Sequence, residues 1–295
     1  MFPAPFEYLA VRSVEEAIDA LARHGYDAKV IAGGQSLLPM MKLRVAAPSV
    51  LVDLNRVEGL SGWQEDAQGL RIGATTRHAA LERARPLAER YPLILATAPW
   101  IADPLVRNRG TMAGSLAHAD PAADWGAAFL ALRGQVEVQG PQGTRSIGAD
   151  DFFVDIFTTS LAADEIITAV RLPRPVGHPE ATYLKLERKV GDFAVVGVAL
   201  NLEVDPEGRV AQAGIGLAAV GPKPLRAPQA EAALIGQRLS FNLAREVAAL
   251  AAEAADPTSD QRGSAAFKRD MVRVFVQRGL ESLRQRIEGR QPASA

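Results

Sequence analysis

Two glycine-centred stretches carry the residue types needed to hold an anionic ligand. In KVIAGGQSLLPMMKLR, residues 29–44, a β-type run delivers the chain to Gly33 and Gly34, and a helical segment restarts at Leu37, with Ser36 placed to cap it and Pro39 tolerated in the first turn. A Gly-Gly pair loses much conformational entropy on folding and offers no side chain to a core, so it marks a sharp turn or a close approach of backbone to something else. Strand, glycine turn and helix start together leave unpaired N–H groups facing outward at the positive end of a helix dipole, which suits phosphate. On this stretch alone, a tight connection packed against the core outweighs a ligand. A second stretch reverses the balance: in RNRGTMAGSLAHADPAADWGAAFLAL, residues 107–132, Gly110, Thr111, Ala113, Gly114 and Ser115 again lead toward a helix, with Asp120 as its N-cap and Pro121 in its first position. One phosphate needs one cradle, whereas the diphosphate of a dinucleotide can be held between two loops.

Other chemistries fit the sequence less well. Ser115, His118 and Asp120 are the types of a hydrolytic triad, but triad members converge from separated elements and no G-x-S-x-G elbow is present. The histidines, at 24, 78, 118 and 178, show no metal-ligand spacing; His24 ends a helix, where it complements the dipole. GIGLAAVGPK, residues 214–223, fits G-x-G-x-x-A, yet the prolines that follow would break the required helix, so it reads as strand and turn. Arg107 and Arg109 read equally as phosphate or partner contacts and as solvated loop charges. The stripe Val272, Val276, Gly279 and Leu283 is core packing. The chain has no cysteine, which excludes disulfides, thiolate metal sites, a cysteine nucleophile and an iron–sulfur cluster held by this chain alone.

These loops need a scaffold, and the composition supplies one. Of 295 residues, 48% are hydrophobic and 23% charged, with a formal net charge of -1, so the chain can bury a large core and presents no basic field for nucleic acid. No apolar run is long enough to span a bilayer, and no signal-peptide pattern opens the chain; a cytoplasmic protein is expected, membrane-associated at most peripherally. SVEEAIDALARHG predicts an amphipathic helix with a capping box of Ser13 and Glu16. AKVIAG, SVLVDL, GLRIGA, QVEVQGPQGTRSIG and EIITAVRLP predict strands, helical segments are expected at about 76–98, and Trp125, Ala128, Phe129 and Leu132 predict one apolar helix face. The run PRPVGHPE, residues 173–180, marks a boundary between a first unit, 1–175, and a second, 178–290. The second opens with the strands ATYLKLERKV, DFAVVGVALNLEV and RVAQAGIGLAAV, the latter two joined by DPEG, and continues with three helices; the tail QPASA is expected to fray.

AGGQSLLPMMKLR paired with TMAGSLAHADPAAD resembles the two FAD loops of the medium, flavin-binding subunit of molybdenum hydroxylases, the group of aerobic carbon monoxide dehydrogenase and bacterial xanthine dehydrogenases. The similarity spans nearly the whole chain, including PAPFEYLAVRSVEEA, RNRGT and YLKLERKVGDFAVVGVAL. It implies an α+β fold: a two-subdomain FAD-binding domain of the vanillyl-alcohol-oxidase (PCMH) type, then a small C-terminal domain of antiparallel sheet plus helices. Carried over by position, the resemblance places Ala32, Gly33, Gly34, Gln35 and Ser36 with Thr111, Met112, Ala113, Gly114 and Ser115 around the diphosphate, Lys29, Val30 and Ile31 leading in. It adds Asp124, Ile101, Ile167 and Lys185 around the rest of the cofactor, with Tyr183 and Asp192 near the ring. Relatives can carry histidine where Gln35 stands and glycine where Ala113 stands; if Ala113 required positive φ, its methyl would be strained. The resemblance further implies noncovalent FAD and an electron-transfer oxidoreductase subunit without catalytic residues or metal of its own. It implies a small iron–sulfur partner with [2Fe-2S] clusters and a large partner with the molybdenum cofactor, assembled as a dimer of heterotrimers. Two other readings are a stand-alone FAD oxidoreductase acting directly on a small substrate, and a flavin-free scaffold, for which Ala113 is the one argument.

Overall fold

Short β-branched runs punctuated by glycine and proline give this chain its strands. The computed structural model describes residues 2–290; the tail QPASA lies outside the described residues. The first stretch comprises β1 (Glu7–Ala10), α1 (Val14–His24), β2 (Ala28–Ile31), α2 (Leu37–Lys42) and β3 (Val50–Asp53), with the strands in a parallel sheet of order β1-β3-β2. The central β3, VLVD, is buried along its length, as a parallel strand covered on both faces must be. Ser13 Oγ caps α1 by accepting from Glu16 N at 3.1 Å, while the Glu16 carboxylate reaches back to Arg12 N at 2.7 Å, one residue before the group a reciprocal box would use. The half-exposed β1 was not among the expected strands.

The middle of the chain holds β4 (Trp63–Asp66), β5 (Gly69–Gly73), α3 (His78–Glu82), α4 (Pro92–Thr97), α5 (Pro104–Arg107), α6 (Met112–His118) and α7 (Asp124–Ala131). It continues through β6 (Gln135–Gly140), β7 (Gly143–Gly148), α8 (Ala149–Phe152), β8 (Phe153–Asp155), β9 (Thr158–Thr159) and β10 (Ile166–Pro173). An antiparallel sheet of order β4-β5-β10-β6-β7 results, with β8 and β9 as a separate hairpin. The helical segments expected at about 76–98 are α3, a 3-10 turn that holds Pro86, and α4, which Pro92 opens. Two expectations for α7 are corrected. Asp120 does not cap it; the carboxylate accepts from Ala122 N at 2.9 Å in a local turn, and the helix begins only at Asp124. Nor is α7 apolar on one face only, since all its residues are buried.

The last stretch supplies β11 (His178–Leu186), β12 (Val196–Val204), β13 (Val210–Ala218), β14 (Leu225–Arg226), α9 (Pro228–Leu234), α10 (Phe241–Ala254) and α11 (Ala265–Arg290), an antiparallel sheet backed by three helices. DPEG closes the β12–β13 hairpin, with Gly208 N donating to Asp205 O at 2.9 Å. Along β12 the period-two alternation is explicit: Val196, Val198, Leu200 and Leu202 join the core under the helices, while Ala199 joins Ala181 and Tyr183 in the core around α7. GIG lies in β13, and its glycines are steric necessities: a Cβ at Gly214 or Gly216 would strike the carbonyls of Ala131 and Ala127 in α7. Helix α7 is therefore clamped between the antiparallel sheets, which holds its N-terminal Asp124 rigidly in place. Among the described residues no helix is long and apolar enough to cross a membrane.

Candidate functional site

The two glycine loops meet. The chain leaves β2 at Ile31 and turns through Gly33 and Gly34, the latter left-handed at φ 72°. A Cβ on Gly33 would strike Arg109 O and lie 2.6 Å from Gly110 Cα, so glycine here lets two backbones touch. The second loop enters α6 with Thr111 as N-cap, its hydroxyl accepting from Gly114 N at 3.0 Å. Ser36 does not play the matching part at α2: its backbone is already helical and its side chain makes no capping bond. A hydrogen-bonded chain ties the loops from behind. Asn55 Nδ2 donates to Ala32 O at 2.8 Å, Arg77 Nη2 donates to Asn55 Oδ1 at 2.5 Å, and the other end of the same guanidinium donates to Arg109 O. Tyr8 and Asn55 both donate to Asp53, fixing the end of β3 beneath them.

A cleft of about 980 Å³ opens along this junction. Of the residues singled out from the sequence, the structure brings Lys29, Val30, Ile31, Ala32, Gly33, Gly34, Gln35, Ser36, Ile101, Thr111, Gly114, Ser115 and Asp124 to its wall, together with Asp192. Met112, Ala113, Ile167 and Lys185 are placed otherwise. The first three point into the core, and Lys185 lies behind Asp124 rather than in the wall. Ala113 sits inside α6 and is not among the positive-φ residues, so its methyl carries no strain and the argument for a flavin-free scaffold loses its footing. Arg107 is neither a solvated loop charge nor free for a phosphate: it pairs with Glu82 at 2.9 Å and donates to Ile101 O at 3.0 Å and Ala102 O at 3.2 Å. Ser115 and His118 face the cleft without bonding each other, and Asp120 is engaged by its own turn, so no hydrolytic relay forms.

The polar centre of the wall is Asp124. One carboxylate oxygen accepts from the Tyr183 hydroxyl at 2.7 Å and the other from Lys185 Nζ at 3.1 Å, which also donates to Trp100 O at 3.0 Å. Burial pushes the Asp124 carboxyl up, and the Lys185 ammonium and the two hydrogen bonds oppose it. The same burial, with the Asp124 charge alongside, pushes the Tyr183 hydroxyl up, so Tyr183 serves as a fixed donor. Farther along, His78 opens α3 beside the second loop, its backbone N donating to Gly110 O at 3.0 Å. It is 4% exposed, and burial, reinforced by the Arg107 and Arg77 charges, lowers its imidazole to about 3. Sequence reasoning missed His78, Asn55 and Arg77 as parts of the site. A lone histidine, an asparagine and an arginine at unremarkable spacing give no local signal, and only the fold brings them to the glycine loops.

These features fit a dinucleotide such as FAD. The cleft volume is near the top of the range of about 300–1,000 Å³ usual for small-molecule sites, and both glycine turns lie in its wall, packed against each other where side chains would clash. Comparison with known proteins gives the same reading. Residues 4–175 match the family described as the FAD binding domain in molybdopterin dehydrogenase, and residues 181–283 match the CO dehydrogenase flavoprotein C-terminal domain. The chain is 38% identical over 282 residues to the carbon monoxide dehydrogenase medium chain of Hydrogenophaga pseudoflava, covering 96% of this chain and 98% of that one. It is 39% identical over 280 residues to subunit alpha of the 6-hydroxypseudooxynicotine dehydrogenase complex of Paenarthrobacter nicotinovorans, covering 95% of each. A chain in the structure of carbon monoxide dehydrogenase from Hydrogenophaga pseudoflava lacking the Mo-pyranopterin moiety superposes with a TM-score of 0.93 at 40% identity, covering 97% and 99% of the two chains. For quinoline 2-oxidoreductase from Pseudomonas putida 86 the TM-score is 0.90 at 34% identity, with the same coverage. With both halves matched and the architecture shared end to end, this chain belongs to the family of FAD-binding medium subunits of molybdenum hydroxylases.

Proposed function

We propose that this chain holds FAD noncovalently in the cleft and serves as the electron-transfer subunit of a molybdenum hydroxylase. It would receive electrons from [2Fe-2S] clusters on a small partner and hand them to an external acceptor, while substrate is hydroxylated at the molybdenum cofactor of a large partner. The observation that carries this reading is the backbone contact of the two glycine loops at Gly33 and Gly110, along a cleft of dinucleotide size. Ala32 to Ser36 and Thr111 to Ser115 would hold the diphosphate through backbone N–H groups and hydroxyls, and Asp124 would present an acceptor held in place by Tyr183 and Lys185. Met112, Ala113 and Ile167 would act from the core, shaping the wall. When bound, FAD supplies the ability to carry two electrons; the residues around it bind, orient and exclude water. The lack of any cysteine in the chain fits a division of labour in which the clusters lie on another subunit.

The domains at 1–175 and 178–290, the dimer of heterotrimers and the cytoplasmic location belong to the same reading. Co-purification tests it. Pulled from its own cells, the tagged chain is expected with one iron–sulfur and one molybdenum partner, and its flavin absorbance should bleach when substrate is added to the complex. The FAD-loaded chain alone should stay oxidised with the same substrates. Bleaching of the isolated chain would favour a stand-alone oxidoreductase instead.

A further inference from the structure

The buried imidazole of His78 has one nitrogen committed and one to spare. Trp125 Nε1, which can only donate, lies 3.0 Å from His78 Nδ1 inside the core. Nδ1 must therefore accept, and in a neutral ring the proton is fixed on Nε2. The Cδ2–Nε2 edge faces the second glycine turn: a Cβ on Gly110 would lie 2.7 Å from both atoms, so glycine there makes room for the ring. His78 lines the cleft, and among the described residues no protein group accepts from Nε2. Nε2 reaches the cleft, so its acceptor must come from outside the chain, either water or an atom of a bound ligand. Trp125 is itself fully buried in the clamped helix α7 and cannot turn away to release Nδ1.

We propose that His78 is a cofactor-binding residue, its Nε2–H donating to an acceptor atom of the dinucleotide where the two glycine loops meet, with Trp125 as the positioning residue that fixes the tautomer. This rests on the FAD reading above. Histidine-selective ¹⁵N labelling of the full chain tests it. Long-range proton–nitrogen correlations should show the Nε2–H tautomer of His78 before any ligand is added, and titration with FAD should shift the Nε2 resonance and its proton. Saturation with FAD, followed by quenching of flavin fluorescence, with Nε2 unmoved would overturn the assignment alone, as would a proton on Nδ1. Failure of the wild-type chain to bind FAD would overturn the assignment and the cofactor reading together. Two variants separate the donor from mere packing. His78→Asn keeps an acceptor near Nδ1 but loses the distal donor, and should bind FAD at least tenfold more weakly at an unchanged melting temperature of the free protein. His78→Gln, whose amide reaches the Nε2 position, should recover most of that loss; equal affinity of both variants and wild type would contradict the proposal.

Discussion

Asp124 shows how much of the site rests on single side chains. A buried carboxylate is tolerable only with its partners in place, and removing one partner of such a pair costs about 3–5 kcal/mol. Lys185→Met should therefore lower the urea midpoint by an amount corresponding to about that range, read from equilibrium unfolding; an unchanged midpoint would mean that Lys185 does not sustain the charge. His78 makes a pH prediction. Its folded value is lowered to about 3 from an ordinary 6.5, so below pH 6.5 the unfolded chain binds the proton and the folded chain does not. Stability is then lost as pH falls from about 6.5 toward 3, at up to about 1.4 kcal/mol per pH unit from this group. The Arg107 and Arg77 charges act in the same direction. Comparing wild type with His78→Gln across that range should show a shallower loss in the variant. At this scale the sequence was partly legible. Asp124 was found because it follows a glycine loop at a family-matched spacing, whereas His78 was passed over because a histidine's meaning depends on what faces its two nitrogens.

Among the elements, the decisive contact is the one between loops that are 77 residues apart, Gly33 to Gly110. Gly33→Ala would press a methyl into backbone on the opposite loop, where nothing flexible can yield, so the loops must part. FAD affinity should fall at least tenfold, about 1.4 kcal/mol, when titrated by fluorescence quenching into protein stripped of flavin; equal affinity would mean the junction does not touch the ligand. The turn-and-strand signals that located these loops were strong, because glycine pairs and β-branched runs report backbone geometry directly. Helix α7 was harder to read. Its start was taken from Asp120 and Pro121, a sound local pattern, but the side chain of Asp120 closes a turn of its own and the helix begins later. Its apparent single apolar face failed too, since the core-facing residues of β13 cover the opposite side, a fact of tertiary packing invisible to local periodicity.

Across the described residues, neighbouring hydrophobic cores share a sheet between them. The sheet β11–β13 contributes one face to the helices that follow it and the other to α7, so the C-terminal stretch supports the cleft from behind through Tyr183 and Lys185 rather than standing apart from it. The proline-rich run at 173–180 reads as a boundary in the sequence, yet nothing in its composition reveals that the next strand carries the partners of Asp124. Everything proposed for this chain depends on its holding FAD. The deciding measurement is the absorbance spectrum of the purified chain, followed by acid precipitation and chromatography of the released chromophore. The structure predicts flavin bands and FAD close to one per chain, released intact because no covalent link is made. A colourless protein that takes up no added FAD would contradict it, leaving the paired glycine turns with packing as their sole role.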